Sequence, residues 1–375
     1  MTTESNSGYK VPLTTIKEIK EHPNADRLQI AVVYGFEVVI GKNGYQVGDK
    51  VIYVPIDSII SQELEDNLFP HDSKIKLTKH RIRQIRIRKF PSQGMLIDTK
   101  TIQTVFGFEP KALEEDYKLR LRIEKYEPPT NGAPQGQSTK IKEKKNSHFK
   151  EYKGLCNIKW FPTKFKEGEI ITVQEKVHGT NSRAGIVPFE ANTWWKRLKG
   201  LFGLNPKFDK CYGSNRVQLQ DKKDSKSGFY GEDIYGKVFK QIDVFSKLRE
   251  NEIVYGEIYG GGVQKHYNYG CKDGEYKFVL FDLKFNGEWQ NPDVVANFAK
   301  ERGFYMVPEL YRGPCDAELI KKLTVGNSVM VPSQKVMEGI AVKSVEGYDE
   351  GMGGKRALKF ISEKYLDRKD NTDFH

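Results

Sequence analysis

The sequence predicts two domains: a small all-β barrel over residues 1–127 and an α+β domain over residues 150–375. A linker or mobile segment at 128–149 joins them. Three observations carry this. At about 150 residues per domain, a chain of 375 residues suits two domains better than one or three. The first third breaks into many short apolar runs separated by turn residues, which suggests a barrel. Near residue 126 the composition changes, and beyond it strand-like and helix-like stretches mix.

The first ordered segment begins near Val11. Apolar runs at 15–19 and 28–33 flank the turn His22-Pro-Asn-Ala-Asp26. Residues 36–40 read as a strand, and Gly41-Lys-Asn-Gly44 as a hairpin-type turn. A strand at 51–56 follows the turn Val47-Gly-Asp49, and a short helix falls within 55–69. Residues 82–87 alternate apolar and basic side chains over part of their length, and 94–98 lead to one more strand. Pro128-Pro-Thr-Asn-Gly-Ala-Pro-Gln-Gly136 has little to pack, and 140–145 is charged, so this stretch reads as linker. Beyond it, 170–177, 252–259 and 277–284 read as strands, and 233–250 and 293–302 as helical. Residues 194–208 begin Trp-Trp-Lys-Arg-Leu-Lys-Gly-Leu-Phe. They read as an inserted amphipathic turn or helix that packs locally or meets RNA or a membrane surface.

Hydrophobic residues at 38%, with 12% aromatic, exclude a disordered, collagen-like or low-complexity chain. The formal charge of +11 favours a polyanionic partner such as nucleic acid or a nucleotide, although a merely basic enzyme has the same balance. The four cysteines lie far apart with no C-x-x-C pair, which argues against a zinc site and against a disulfide framework. The first ten residues are polar, and no run of 18 apolar residues occurs. A soluble, intracellular protein without a membrane partner is expected. With no heptad pattern, a monomer is expected.

The chemistry starts at Ile171-Thr-Val-Gln-Glu-Lys-Val-His-Gly-Thr-Asn181. An apolar strand delivers Lys176 to a sharp turn at Gly179, and a lysine amine is a covalent nucleophile once neutral. Alone, this is also what a surface lysine before a turn looks like. Four more segments add to it. Val254-Tyr-Gly-Glu-Ile-Tyr-Gly260 sets Glu257 in an apolar strand, where a carboxylate needs a hydroxyl or metal partner. Lys277-Phe-Val-Leu-Phe-Asp-Leu283 offers Phe281 for stacking on a purine. Met337-Glu-Gly-Ile-Ala-Val-Lys343 supplies Glu338 and Lys343, and Lys355-Arg-Ala-Leu-Lys-Phe-Ile361 supplies Lys359. This inventory fits attack on a nucleotide α-phosphate with a divalent metal.

The order Lys-x-x-Gly, Arg, Tyr-Gly-Glu, Phe-Asp, Glu-Gly, Lys resembles the covalent nucleotidyltransferase superfamily of polynucleotide ligases and capping enzymes. Glu175-Lys-Val-His-Gly-Thr-Asn181 is most similar to ATP-dependent RNA ligases that seal 3′-OH/5′-phosphate nicks, since DNA ligases usually carry Asp where this chain has His178. The likeness covers roughly residues 150–370. It implies an α+β nucleotidyltransferase (ligase-type) domain, ATP as AMP donor, and Mg²⁺ or Mn²⁺ as cofactor. RNA, as nicked duplex or broken ends, is the implied partner.

The resemblance implies that Lys176 attacks the ATP α-phosphate and forms lysyl-AMP. AMP then caps the RNA 5′-phosphate, and the 3′-OH displaces it. The backbone around Glu175 and Val177 and the ring of Phe281 would hold adenine, and Glu257 a ribose hydroxyl or a metal-bound water. Arg216 would contact the nucleotide or the RNA 5′-phosphate, and His178 and Asn181 would support later steps and metal hydration. Glu257 and Glu338 would bind metal through waters, and Lys343 and Lys359 would contact phosphate. Related ligases often end this set with Lys-x-Lys, whereas this chain has Lys359-Phe-Ile361. Arg356 or a basic residue of the first domain would replace the missing contact.

His22-Pro-Asn-Ala-Asp-Arg-Leu28 resembles the start of OB-fold RNA-binding modules, so the barrel is expected to be OB-like. Lys79-His-Arg-Ile-Arg-Gln-Ile-Arg-Ile-Arg-Lys89 carries no acid. In one strand, Arg81 and Arg83 would share one face and Arg86 and Arg88 the other, toward RNA backbone or the ATP triphosphate. Only 16 residues follow Lys359, which leaves no room for the C-terminal barrel of DNA ligases and capping guanylyltransferases. Those two enzymes are the alternatives. A non-catalytic RNA-binding protein with a degenerate ligase domain is the alternative of another class.

Overall fold

A computed structural model describes residues 9–69, 77–126, 145–191, 194, 198, 201–202, 204–219, 233–264, 266–346 and 354–368. The expected linker at 128–149 falls mostly outside them, and the expected insertion at 194–208 partly so. Packing divides the chain into two units, and the division is not a single cut. One unit is Met1–Pro129 with Gly154–Phe165 and Phe360–His375; the other is Thr130–Lys153 with Lys166–Lys359.

The first unit is built from short antiparallel strands around Lys50–Val54, which lies between Leu13–Thr15 and Met95–Asp98. Its apolar run has no polar face because both faces are covered. Val51 and Tyr53 enter a core with Phe36, Val38 and Trp160, while Ile52 and Val54 enter another with Leu13, Ile97 and Ile102. Trp160 is the reason that 154–165 belongs to this unit: its ring packs 5.1 Å from Phe36 and 5.4 Å from Tyr53. Trp160→Ala is expected to cost this unit about 3–5 kcal/mol, measured as a lower denaturation midpoint at unchanged slope.

Three expectations change here. Gly41-Lys-Asn-Gly44 does not close a hairpin. The strand Phe36–Gly41 pairs with Leu28–Val33 through the two-residue turn Tyr34-Gly35, where Tyr34 takes φ 53°. Residues 82–87 are not one strand: Arg81–Ile82 pairs with Ser58–Ile59, and Ile85–Ile87 pairs with Phe90–Ser92 in a separate sheet. Gln84 breaks the run by donating to Asp367 Oδ1 at 2.8 Å. The helix Thr99–Phe106 has no counterpart in the sequence reading, yet it is capped by Asp98, which accepts the Thr101 N–H, and by Gly107 at φ 71°.

The second unit contains two sheets. The larger has the strand order Gln218–Leu219, Phe208–Ser214, Thr180–Pro188, Glu252–Gly260, Tyr276–Phe285, Glu288–Trp289. In the other, Gly339–Ser344, Ile170–Lys176 and Glu309–Pro314 are neighbours in that order. The helices Ile234–Gln241 and Pro292–Arg302 cover one face of the larger sheet, where Val238, Phe239, Val295 and Phe298 share a core with Val254, Ile258, Phe278 and Leu280. Tyr255 and Glu257 therefore point from the opposite face. The expected helix at 233–250 stops at Gln241, and a short 3₁₀ turn follows Asp243, which takes φ 46°. Among the described residues, no helix is long and apolar enough to cross a membrane.

Candidate active site

Lys176 ends its strand, and the alternation of that strand sets the roles of its neighbours. Ile171, Val173 and Glu175 share one side, and all are buried. The Glu175 Oε2 accepts the Val329 N–H at 2.8 Å, so this carboxylate anchors residues 328–330. Burial pushes its pKa up, against the Ser328 hydroxyl and the Val329 and Met330 N–H groups. Lys176 points the other way, and its Nζ donates to Glu338 Oε1 at 2.6 Å. Glu338 is 1% exposed, and its other oxygen lies 3.4 Å from His178 Nδ1. The His178 N–H donates to the Tyr269 hydroxyl at 2.8 Å, and the His178 ring sits edge-on to Tyr267.

The turn after Lys176 runs hard against the strand Glu252–Gly260. The Gly179 N–H donates to Glu257 Oε1 at 3.1 Å. A Cβ at 179 would lie 2.2 Å from the Ile258 carbonyl oxygen and 2.9 Å from Glu257 Cγ, so only glycine fits. Asn181 stands opposite Glu257 in the ladder, and its Oδ1 is buried without a hydrogen bond. One amine, two carboxylates, an imidazole and an amide oxygen thus come together from three strands, a turn and the residue just before Gly339–Ser344.

Burial raises the Glu257 pKa to about 8, helped by the Glu338 carboxylate and opposed by the Lys176 ammonium and the Gly179 N–H. The folded protein then holds a proton that the unfolded chain releases above its ordinary carboxyl pKa of 4.5. Stability from this group is full below pH 4.5 and is lost as pH rises toward 8. Glu257→Gln is expected to melt progressively higher than wild type as pH climbs from 5 to 8.5, in metal-free buffer. A constant difference in Tm across that range would refute the shift. Two carboxylates and an orphaned amide oxygen are hard donors that suit Mg²⁺ or Mn²⁺. Among the described residues, no group of three or more His, Cys, Asp or Glu forms a cage, so such an ion would keep several waters.

Phe281 and Asp282 owe their placement to a β-bulge. Tyr255 pairs with Asp282 and Gly256 with Leu280, which leaves Phe281 as an extra residue. The strand's parity switches across it: Phe278 and Leu280 face the helices before the bulge, and Leu283 does so after it. Without the switch, Asp282 could not lie on the Tyr255 and Glu257 side. Lys343 Nζ takes up the Phe281 carbonyl at 2.6 Å and Asp282 Oδ1 at 3.1 Å. Tyr152 donates to Asp282 Oδ2 at 2.8 Å, and Lys355 pairs with the same oxygen. Burial pulls the Lys355 pKa down to about 7, countered by Asp282 and reinforced by Lys343 and Lys284.

The basic residues named from sequence are placed unevenly. Arg81 is turned inward, with Nη2 on Asp57 Oδ1 at 2.6 Å and its guanidinium over the Tyr126 ring. Arg83 donates to the Arg368 carbonyl, Arg86 donates to Asp367 Oδ2, and Arg88 is exposed at φ 47°. The expected two-faced alternation is absent because the stretch is broken at Gln84. Arg216 is exposed in the turn after Phe208–Ser214. Arg356 donates to Glu169 Oε2, Lys359 is 3% exposed in Ala357–Ile361, and Ile361 is buried. Sequence reasoning passed over Tyr152, Tyr269 and Trp289, whose positions carry no motif, gave Lys355 no role although it opens a quoted segment, and missed the bulge.

The model of the family described as RNA ligase matches residues 169–361. The chain belongs to the RNA ligase family. An OB-fold domain model matches residues 11–99, so the small all-β region of the ligase is an OB domain. No curated protein matches the chain. Among solved structures, the ligase is similar to Naegleria gruberi RNA ligase with PPi, at 20% identity and TM-score 0.71, covering 96% of this chain and 98% of that one. A lysine-to-alanine variant of that protein with ATP and Mn gives 20% identity and TM-score 0.74, covering 97% and 100%. A glutamate-to-alanine variant with AMP and Mn gives 20% and 0.73, again covering 97% and 100%. These likenesses establish a shared fold along nearly the whole chain.

Proposed function

We propose that the protein is an ATP-dependent RNA ligase that joins 3′-OH and 5′-phosphate ends at nicks in duplex RNA, through lysyl-AMP on Lys176 and an AMP-capped RNA. The observation that carries this reading is Lys176 Nζ, 2.6 Å from a buried Glu338 and beside Glu257 across a glycine turn. The ATP, AMP and Mn of the Naegleria structures support it.

Lys176 Nζ donates a proton of its amine in a hydrogen bond to Glu338 Oε1. The amine must lose that proton to attack, and Glu338 Oε1 is the acceptor within reach. A bond then forms between Nζ and the ATP α-phosphorus while the bond to the pyrophosphate oxygen breaks. The RNA 5′-phosphate next attacks the same phosphorus and frees the lysine. Finally the 3′-OH attacks the capped RNA phosphate, and AMP leaves. Glu257 and Glu338 through waters, and Asn181, would hold a divalent ion, which supplies charge that favours the neutral amine and the transferring phosphate. Phe281 and the backbone of Glu175 and Val177 hold adenine. Lys343, committed to Asp282 and the Phe281 carbonyl, shapes that pocket. Arg88 and Arg216, both exposed, are the side chains we assign to RNA phosphate.

The test uses α-labelled ATP or GTP with Mg²⁺ or Mn²⁺, followed by a nicked RNA duplex. Label from ATP is expected on the protein, then on the capped RNA, and is released as AMP while the unlabelled nick is sealed. Label from GTP would move the protein to the capping class, and no label would leave the non-catalytic RNA-binding reading.

A further inference from the structure

Phe281 is the bulged residue of its strand, so the sheet ladder does not fix its ring. Its carbonyl is pinned by Lys343, but the ring itself meets the edge of Tyr152, with centroids 4.9 Å apart and planes at 66°. Tyr152 is in turn held at both ends. Its hydroxyl donates to Asp282 Oδ2, and its ring stands at 83° to Trp289 with centroids 5.6 Å apart. Lys355 fills the space between these groups. Its Nζ lies 3.9 Å from the Tyr152 ring centroid, 3.9 Å from the Trp289 ring centroid, and on Asp282 Oδ2. In its charged form the amine is attracted by both aromatic faces and by the carboxylate. The side chain is 10% exposed, so water competes little. The reaction chemistry gives this lysine no task.

We propose that Lys355 is a positioning residue for nucleotide binding: wedged between Tyr152 and Trp289 and paired with Asp282, it fixes the Tyr152 ring that sets the plane of Phe281. This rests on the reading that Phe281 takes the adenine. Removing the cation leaves Asp282 with Lys343 and the Tyr152 hydroxyl but frees the two rings. The adenine platform then loses its order before ATP arrives, while Lys176, Glu257 and Glu338 are untouched. The penalty falls on ATP capture and not on the saturated rate.

The experiment measures the initial rate of self-adenylylation against ATP concentration for full-length wild type, Lys355→Met, Lys355→Arg, Phe281→Ala and the Lys355→Met/Phe281→Ala double variant. Lys355→Met is expected to raise half-saturating ATP about tenfold at an unchanged maximal rate, and Lys355→Arg to restore most of it. In the Phe281→Ala background the Lys355→Met change should add nothing, because both act through one ring. Equal effects with and without Phe281, an unchanged half-saturation, or a fall in maximal rate alone would each overturn the proposal. A Phe281→Ala enzyme with normal ATP saturation would overturn the adenine reading instead. If Lys355→Met fails to fold, Tyr152→Leu removes the same ring support and is held to the same outcomes.

Discussion

Lys176→Ala is expected to abolish covalent nucleotide transfer, with labelled protein falling below detection and intact mass showing no added AMP. The substitution removes the one protein group in the proposed sequence that bonds to the α-phosphorus, so no residual route through the protein remains. It also strips the ammonium from Glu338, which is 1% exposed, and some loss of stability should accompany it. Lys176→Arg separates the two effects. A guanidinium keeps a cation against Glu338 Oε1 but cannot give up its proton at working pH. It should melt within a degree or two of wild type and still accept no label. Adenylylation by either variant would refute Lys176 as the nucleophile.

Gly179→Ala is expected to have the next largest effect, although residue 179 touches no substrate in the proposed mechanism. Its new methyl would meet the Ile258 carbonyl oxygen at 2.2 Å, and backbone cannot swing aside as a side-chain tip can. Either the turn lifts or the strand Glu252–Gly260 moves. Both break the Gly179 N–H bond to Glu257 and shift Lys176 against Glu338. Displacement of a reacting group by about 1 Å typically costs about a hundredfold in rate, and overpacking of this kind costs about 1–3 kcal/mol in stability. Self-adenylylation at saturating ATP should fall by that factor while the protein still folds. A wild-type rate would show that the turn has slack the geometry does not suggest.

Much of the site was legible because its chemistry sits on strands. The apolar runs 170–176 and 252–260 read as strands that carry Lys176 and Glu257, and the short-range Lys-x-x-Gly spacing announces the turn. What was not legible depends on distant partners. The run 277–284 reads as an unbroken apolar strand, and nothing local marks Phe281 as the extra residue; the bulge emerges only from pairing with Tyr255 and Gly256. Arg81 and Arg86 look alike in sequence, yet Asp57 draws one inward and Asp367, some 280 positions on, takes the other. Helices such as Thr99–Phe106 and Ala317–Leu323 are short, and their Asp caps are common enough in loops to pass unnoticed.

The extra residue at 281 also bears on how such an enzyme can change. Every other position in Tyr276–Phe285 is tied to a ladder partner, so altering the count of residues there would turn core side chains to the wrong face. Phe281 alone is surplus to that count. Lineages can therefore exchange, enlarge or shed the side chain proposed to meet the base and leave the sheet and its core in place. On the proposed reading, nucleobase preference is then a trait that selection can adjust separately from the sheet.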